Sequence, residues 1–244
     1  MRSIRDKVVV ITGASRGIGE AVARAFAAEQ TKLVLCGRDK TRLEKVARSL
    51  KLPEGNVVTV LADVSTRTGM REIVNIAYRK FGTVDLFINN AGVGGHRSIT
   101  ETTEREYDLM MDTNLKAVFY CFKELIPRMR KQNFGHIINI SSLAGRMGVP
   151  GLAVYSASKA ALNTFSEAVA GEVRNDNIKV SVLSPGSTDT DFAHGLTGKR
   201  PTSSPDSKGK LTPDEVAEAV VFLARQNQSA FTSMVDIRPL RVKK

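Results

Sequence analysis

The sequence predicts a doubly wound α/β fold, a parallel sheet with helices on both faces. Three observations predict it. Short β-branched and aliphatic runs alternate with longer amphipathic stretches along the whole chain, the order produced when helices join parallel strands. The strand runs, such as Val8-Val-Val-Ile11, are apolar throughout rather than alternating, as strands covered on both faces are. A glycine-rich turn, Thr12-Gly-Ala-Ser-Arg-Gly-Ile-Gly19, links the first strand run to the first helical run, where this architecture places a close turn.

Taken in order, strand patterns fall at residues 7–12, 32–36, 56–61, 84–88, 135–140, 178–183 and 234–237. Helical patterns fall at 17–30, 40–50, 68–81, 103–131, 153–174 and 212–225. Pro53-Glu-Gly55 reads as a turn, and Pro127 is placed to bend the long helical stretch. Thr212 and Pro213 read as the cap and first turn of the last helix. The stretch 186–211 is polar and rich in Gly, Pro, Ser and Lys, a composition often found in loops that cover a site. No repeat, low-complexity tract or linker divides the chain, so residues 1–244 are expected to form a single domain.

Composition narrows the function classes. The chain of 244 residues is 42% hydrophobic and 25% charged, an ordinary globular balance with enough length for a full core. No run approaches the ~18 apolar residues of a membrane span. The N-terminus runs at once into a strand, which leaves no room for a signal peptide. Cys36 and Cys121 lie apart in apolar surroundings and read as reduced core residues, so a cytoplasmic location is expected. No metal site is assigned. The net charge of +11 is uneven: residues 1–51 carry +7, residues 52–196 are neutral, and residues 197–244 carry +4. A basic patch can mark nucleic-acid binding. No nucleic-acid motif accompanies this one and Trp is absent, so no nucleic-acid partner is expected. A phosphorylated cofactor or an acidic carrier accounts for the charge as well.

The chemistry concentrates at Tyr155-Ser-Ala-Ser-Lys159. Residues four apart sit about 40° from each other on one helix face. A phenol of pKa ~10 is a poor acid at neutral pH. A cation ~4 Å away is worth ~4 kcal/mol at an effective dielectric near 20. That is roughly 3 pKa units and would bring the phenol to ~7, where it exchanges protons with a carbonyl or alcohol.

The glycine turn supplies a second function. Gly13, Gly17 and Gly19 let the backbone approach a pyrophosphate and let the helix pack close, and the free N–H groups at the helix start favour the anion. The second strand ends in Cys36-Gly37-Arg38-Asp39. Arg38, with Ser15 and Arg16, forms a set that can clasp a 2′-phosphate through charge-assisted bonds. Asp39 serves either the ribose or the cap of the next helix. The expected cofactor is NADP(H).

Together the glycine turn, Asn89-Asn-Ala-Gly92 and Tyr155-x3-Lys159 resemble the short-chain dehydrogenase/reductase family, from about Lys7 to Thr190. The resemblance implies a Rossmann-type sheet of about seven strands, and a homodimer or homotetramer. It implies that Ser142 hydrogen-bonds the substrate carbonyl and that Tyr155 is the general acid/base. Lys159 would lower the Tyr155 pKa and bind the nicotinamide ribose, and Asn114 would hold a water that feeds a proton relay. It further implies cofactor contacts at Gly13, Ser15, Arg16, Gly17, Ile18, Gly19, Arg38, Asp63, Val64, Asn90, Ala91 and Gly92. Pro185, Gly186, Thr188 and Thr190 would close on the nicotinamide, although Thr188 stands where an aliphatic residue is more usual.

The pattern most resembles reductases of 3-oxoacyl thioesters on acyl carrier protein. On that resemblance the expected activity is NADP(H)-dependent reduction of a carbonyl to a secondary alcohol. A different carbonyl (sugar, steroid, quinone or 3-hydroxy acid) and a non-catalytic cofactor-binding regulator are the alternatives. Substrate contacts are expected from 94–100 and 186–211, with Phe192 and Leu196 as apolar lining; His96 and His194 receive no role. Arg128, Arg130, Lys131 and Arg174 read either as a basic rim for an acidic carrier or as solvated helix ends. The chain closes in Met234-Val-Asp-Ile-Arg-Pro239 rather than the Asp-Gly-Gly of many relatives. That weakens the tetramer and leaves a dimer through 103–131 and 153–174, where Ala157, Ala160 and Ala161 either pack on a partner or face their own sheet.

Overall fold

The computed structural model describes residues 1–194 and 209–240. Seven strands form one sheet in the order β3-β2-β1-β4-β5-β6-β7. They are β1 Val8–Thr12, β2 Lys32–Gly37, β3 Val57–Leu61, β4 Leu86–Asn89, β5 Gly135–Ile140, β6 Ile178–Pro185 and β7 Met234–Ile237. Every pairing is parallel. The apolar runs explain the order of burial. All five residues of β1 and all eight of β6 are buried, whereas the edge strands β3 and β7 are partly exposed.

Alternate side chains point to opposite faces and build two core layers. Val9, Ile11, Leu33 and Leu35 pack under α1 (Gly17–Ala28), α2 (Lys40–Ser49) and α7 (Pro213–Ala224). Val10, Val34, Phe87 and Ile137 pack under α3 (Arg67–Phe81), α5 (Ala117–Gln132) and α6 (Ala153–Val173). The order reverses at β1, whose neighbours are β2 and β4. Helices leave the sheet in opposite directions there, which opens a crevice beyond the strand carboxyl ends.

The helical stretch expected over 103–131 is divided. Thr103 and Glu106 form a capping box for α4 (Glu104–Met111). Asp112–Lys116 then forms a π-helical turn, and α5 follows with Pro127 inside it. The π turn inserts an extra residue into the helical repeat and carries Asn114. α7 has the expected Thr212 cap, with Pro213 in its first turn and a capping box to Glu215. Ala157 and Ala160 are exposed and Ala161 is half-buried, so the small face of α6 does not pack on its own sheet. No helix among the described residues is long and apolar enough to cross a membrane. Both cysteines are buried and unpaired.

Candidate active site

A cavity of about 890 Å³ runs along the carboxyl end of the sheet, from Arg38 and Arg42 past Gly13–Ile18 to Ser142, Tyr155 and Phe192. Its floor is the glycine turn. Gly13 and Gly17 have φ of 65° and 57°, values that L side chains rarely adopt. At Gly19 a Cβ would lie 2.2 Å from the Gly13 carbonyl oxygen, so only glycine lets α1 start this close to β1. Arg16 is the N-cap of α1 and offers no side-chain cap, which leaves the first N–H groups of that helix to face the cavity.

Thr12, which the sequence reading passed over, fastens the turn to β4. Its hydroxyl donates to the Ile88 carbonyl at 3.2 Å and accepts from the amides of Asn90 and Ala91, each at 3.0 Å. Asn90 Nδ2 returns two bonds, to the Thr12 and Gly13 carbonyls at 2.9 and 3.2 Å. A threonine ending a strand before a glycine is the available signal.

At the far end of the cavity Arg16 and Arg38 are exposed and have no side-chain partner among the described residues. Asp39 is the N-cap of α2: its carboxylate accepts from the Arg42 amide at 3.0 Å and pairs with Arg42 Nε at 3.3 Å. Asp39 thus makes the cap, while its half-exposed side chain also lines the cavity. It also brings Arg42 to the cavity, a residue the sequence reading missed although the three-residue spacing from a capping Asp was visible. Asp63 and Val64 line the same end, with Asp63 Oδ1 held by the Ser65 amide and hydroxyl at 2.9 and 2.7 Å.

The inner end gathers the four residues expected to be catalytic. Tyr155 lies in the first turn of α6. Lys159 is buried below it, and its ammonium donates to the Ile140 carbonyl at 2.8 Å while standing 5.9 Å from the Tyr155 ring centre. Ser142 caps the short turn Leu143–Gly145 by accepting from the Ala144 amide at 3.1 Å. Ser141 is buried and turned away, donating to the Lys159 carbonyl at 3.4 Å. Asn114 accepts from the Val93 amide at 2.9 Å, and its Nδ2 donates to the Val93 carbonyl at 2.9 Å and to Ser158 Oγ at 3.0 Å. Its amide hydrogens are therefore both used within the protein. Gly92 passes between them, its Cβ position 3.2 Å from Asn114 Oδ1 and 3.7 Å from Lys159 Nζ.

The electrostatics correct one expectation. Burial pushes the Tyr155 phenol up to about 12, with the Ser142 hydroxyl drawing it partly back. Burial pushes the Lys159 ammonium down to about 8. The expected fall of the phenol toward neutrality assumed a cation ~4 Å away. Here the ammonium is committed to the Ile140 carbonyl instead, and desolvation of the phenolate dominates.

Beyond Tyr155 the walls are apolar: Leu143, Val149, Leu152 and Phe192. The Phe192 and Tyr155 rings stand 5.7 Å apart, and a Cβ at Gly94 would come within 2.8 Å of Tyr155 and 2.9 Å of Phe192. The loop after β4 thus passes edge-on between two rings, a contact only glycine permits. His96 lies over Gly151 on the rim. Leu196 and the side chain of His194 lie outside the described residues. Gly186 donates to the Ile237 carbonyl at 2.8 Å, and Thr188 to the Gly186 carbonyl at 3.0 Å. Both main-chain bonds between 187–189 and Leu211 measure 2.8 Å. The Thr188 hydroxyl is thus used within its own turn. Thr190 reaches Gly17, with its methyl 3.3 Å from the Cβ position there, and Pro185 ends β6 at the cavity.

The basic rim is corrected too. α5 and α6 run back from the cavity, so their last turns lie at the amino ends of the strands. Arg128 donates to Asn75 at 2.5 Å and stacks 4.9 Å from the Tyr78 ring centre. Arg130 pairs with Asp176 at 2.7 Å. With Lys131 and Arg174 they lie at the opposite end of the sheet from the cavity mouth.

Comparison with known proteins agrees in family. The model of the short chain dehydrogenase family matches residues 7–201. An uncharacterized oxidoreductase of Staphylococcus aureus is 35% identical over 240 residues, covering 98% of this chain and 100% of the relative. A metagenomic short-chain oxidoreductase solved in complex with NADP superposes with a TM-score of 0.83 at 33% identity, covering 98% of this chain and 100% of that one. A 3-ketoacyl-(acyl-carrier-protein) reductase from Brucella melitensis complexed with NADH gives 0.88 at 31% identity, covering 98% and 99%.

Proposed function

Because the chain belongs to the short-chain dehydrogenase/reductase family and is an oxidoreductase, we propose that it is an NADP(H)-dependent reductase converting a ketone to a secondary alcohol. The observation that carries this reading is the placement of Tyr155 and Ser142 at the inner end of a cavity whose floor is a glycine cradle and whose outer end holds two arginines without a side-chain partner among the described residues. A Cβ at Gly13 or Gly19 would collide with the backbone and with Asn90, so only glycine gives the tight turn that brings the start of α1 to the cavity, a geometry that fits a dinucleotide pyrophosphate. Arg38 and Arg16 would hold a 2′-phosphate, with Arg42 beside them. Gly37 leaves no carboxylate at the strand end, and Asp39 is occupied by its cap. Asp63 and Val64 would meet the adenine, and Asn90–Gly92 with Lys159 the nicotinamide ribose. Pro185, Gly186, Thr188 and Thr190 would meet the nicotinamide. The bound cofactor supplies a hydride to the carbonyl carbon.

The chain's own groups do the rest. Ser142 and Tyr155 hydrogen-bond the carbonyl oxygen where negative charge develops. With its phenol pushed up to about 12, Tyr155 is protonated at neutral pH, and as a weak acid it yields that proton only to the more basic alkoxide oxygen that forms when the hydride arrives. It gives its proton to the oxygen as the alcohol forms. Lys159, still largely cationic at pH 7 with a pKa of about 8, acts on the resulting phenolate only at a distance, because its ammonium is bonded to the Ile140 carbonyl. Asn114 contributes by bracing the loop after β4 against α6, since its side chain is already engaged there. Phe192 and Gly94 pack against the Tyr155 ring at the edge of the site.

The proposed substrate is a neutral carbonyl, first a 3-oxoacyl thioester, supported by the family resemblance and by the apolar walls at Leu143, Val149 and Leu152. Arg128 and Arg130 play no part in it. The test is NADPH consumption with acetoacetyl thioester and a panel of ketones, run beside Tyr155→Phe. Oxidation of NADPH that the variant abolishes by at least ~10³-fold is expected, in line with loss of an acid catalyst. NADPH binding without consumption on any carbonyl would sink the reductase reading.

A further inference from the structure

Sheet pairing ends just before Ser142: the Ser141 amide still donates to the Leu183 carbonyl at 2.7 Å and its hydroxyl to the Lys159 carbonyl at 3.4 Å, and the turn Leu143–Gly145 beyond it needs a further anchor. Its internal bonds are short-range: the Gly145 amide donates to the Ser142 carbonyl at 2.9 Å and the Ala144 amide to Ser142 Oγ at 3.1 Å. These shape the turn but do not locate it relative to Tyr155. Location comes from α6. Gly145 lies against the backbone of Lys159, where a Cβ would stand 2.8–2.9 Å from its carbonyl carbon, Cβ and oxygen. One turn further along, Asn163 Nδ2 donates to the Gly145 carbonyl at 3.1 Å.

Asn163 is buried, and its Oδ1 has no hydrogen-bond partner among the described residues. The opposite orientation of the amide would set two oxygens against each other, so Gly145 fixes which atom is nitrogen. An acceptor buried without a partner is a standing cost to folding, and a leucine of the same branched outline would avoid it. The position nevertheless holds an amide, and the one bond that amide makes goes to the Ser142 turn. The spacing is informative as well. Tyr155, Lys159 and Asn163 follow one another at four-residue steps, along one slowly turning face of α6. A single helix thereby carries the acid, its lysine and the tie to the turn holding the other carbonyl donor.

We propose that Asn163 is a positioning residue that sets Ser142 against Tyr155 through the Gly145 carbonyl. The inference rests on the reading of Ser142 as a carbonyl donor given above. Asn163 touches neither substrate nor cofactor. The salt bridge of Arg146 to Asp236 at 3.2 Å ties the same turn from outside, but it is solvent-exposed and holds less firmly.

The test compares Asn163→Leu, Ser142→Ala and the double variant. Asn163→Leu is expected to lower kcat about 10–100-fold, the scale on which misplacement of a reacting group acts. It should leave the NADPH Kd within about twofold and the Tm no lower than that of the parent protein. In the Ser142→Ala background the same substitution should change kcat by less than about twofold, because the group it positions is gone. Losses that multiply in the double variant, an unchanged kcat in the single one, or a parallel loss of NADPH affinity would overturn the proposal. If Asn163→Leu does not fold, Asn163→Ala makes the same comparison. A parent protein that reduces no carbonyl would instead defeat the functional reading. Positioning would then be decided by amide exchange at Ala144, which donates to Ser142 Oγ: faster exchange in the variant supports it, and an unchanged rate refutes it.

Discussion

The two ends of the sheet use polar residues differently. At the amino ends of the strands they are spent on one another. Asp85 takes the Val8 amide and the Lys7 ammonium, each at 2.9 Å. Gln132 Oε1 accepts from Tyr78, Thr83 and the Val84 amide. Lys179 donates to the Asn227 and Ala230 carbonyls at 2.6 and 2.7 Å, and His136 meets Ser181 at 2.9 Å. At the carboxyl ends, Arg16 and Arg38 have no side-chain partner among the described residues, α1 starts without a side-chain cap, and glycines keep the backbone bare. Saturated polar groups fasten a framework. Unsaturated ones are what a ligand can use. Charge alone does not separate the two ends, since both are basic. The difference lies in the cations beside the strand ends: Lys7, Arg128, Arg130 and Lys179 have partners at the amino end, whereas Arg16 and Arg38 have none among the described residues.

The contrast can be sharpened by substitution, beginning with the largest effect. Arg38→Ala is expected to weaken NADPH binding about 10–100-fold, the loss of one or two charge-assisted hydrogen bonds, with NADH binding changed less than about threefold. Equal loss for both nucleotides, measured by fluorescence titration, would remove the 2′-phosphate from the account.

A smaller effect, on stability rather than turnover, is expected at the other end. Burial holds His136 down at about 3 against an ordinary value of 6.5, with Lys179 and Arg2 adding to the shift. Between those values the unfolded chain binds a proton that the folded chain does not. Stability should therefore fall as pH drops from 6.5 toward 3, and this group should contribute no slope above 6.5. In His136→Gln the acid limb of Tm against pH should be shallower, with turnover at pH 7 nearly unchanged. An acid limb of unaltered slope would show that the histidine is not held neutral.

Much of this contrast was legible in the sequence, and the reasons for the rest are physical. Strands read directly because a doubly covered sheet demands unbroken apolar runs, and β5 and β7 begin and end where their runs do. The glycine turn and the Tyr155–Lys159 pair read because each needs a fixed spacing. The π turn at Asp112–Lys116 did not read, since one extra residue per turn barely disturbs an apolar stripe. The partners of Arg128 and Arg130 did not read because Asn75 and Asp176 lie far away in sequence. The phenol of Tyr155 was placed near neutrality because helical spacing gives a distance between side chains but not what the ammonium is bonded to. Arg42 and Asn163 went unnoticed for a related reason: each matters through tertiary contacts that leave no periodic trace.

The most direct measurement is amide hydrogen exchange of the full chain with and without saturating NADPH. The account expects slowed exchange at Thr12–Gly19, Arg38–Arg42, Asp63–Val64 and Gly186–Thr190, with no change across 128–136 and 174–181. Protection at the amino end, or none at the glycine turn, would contradict the assignment of the site to the carboxyl end of the sheet.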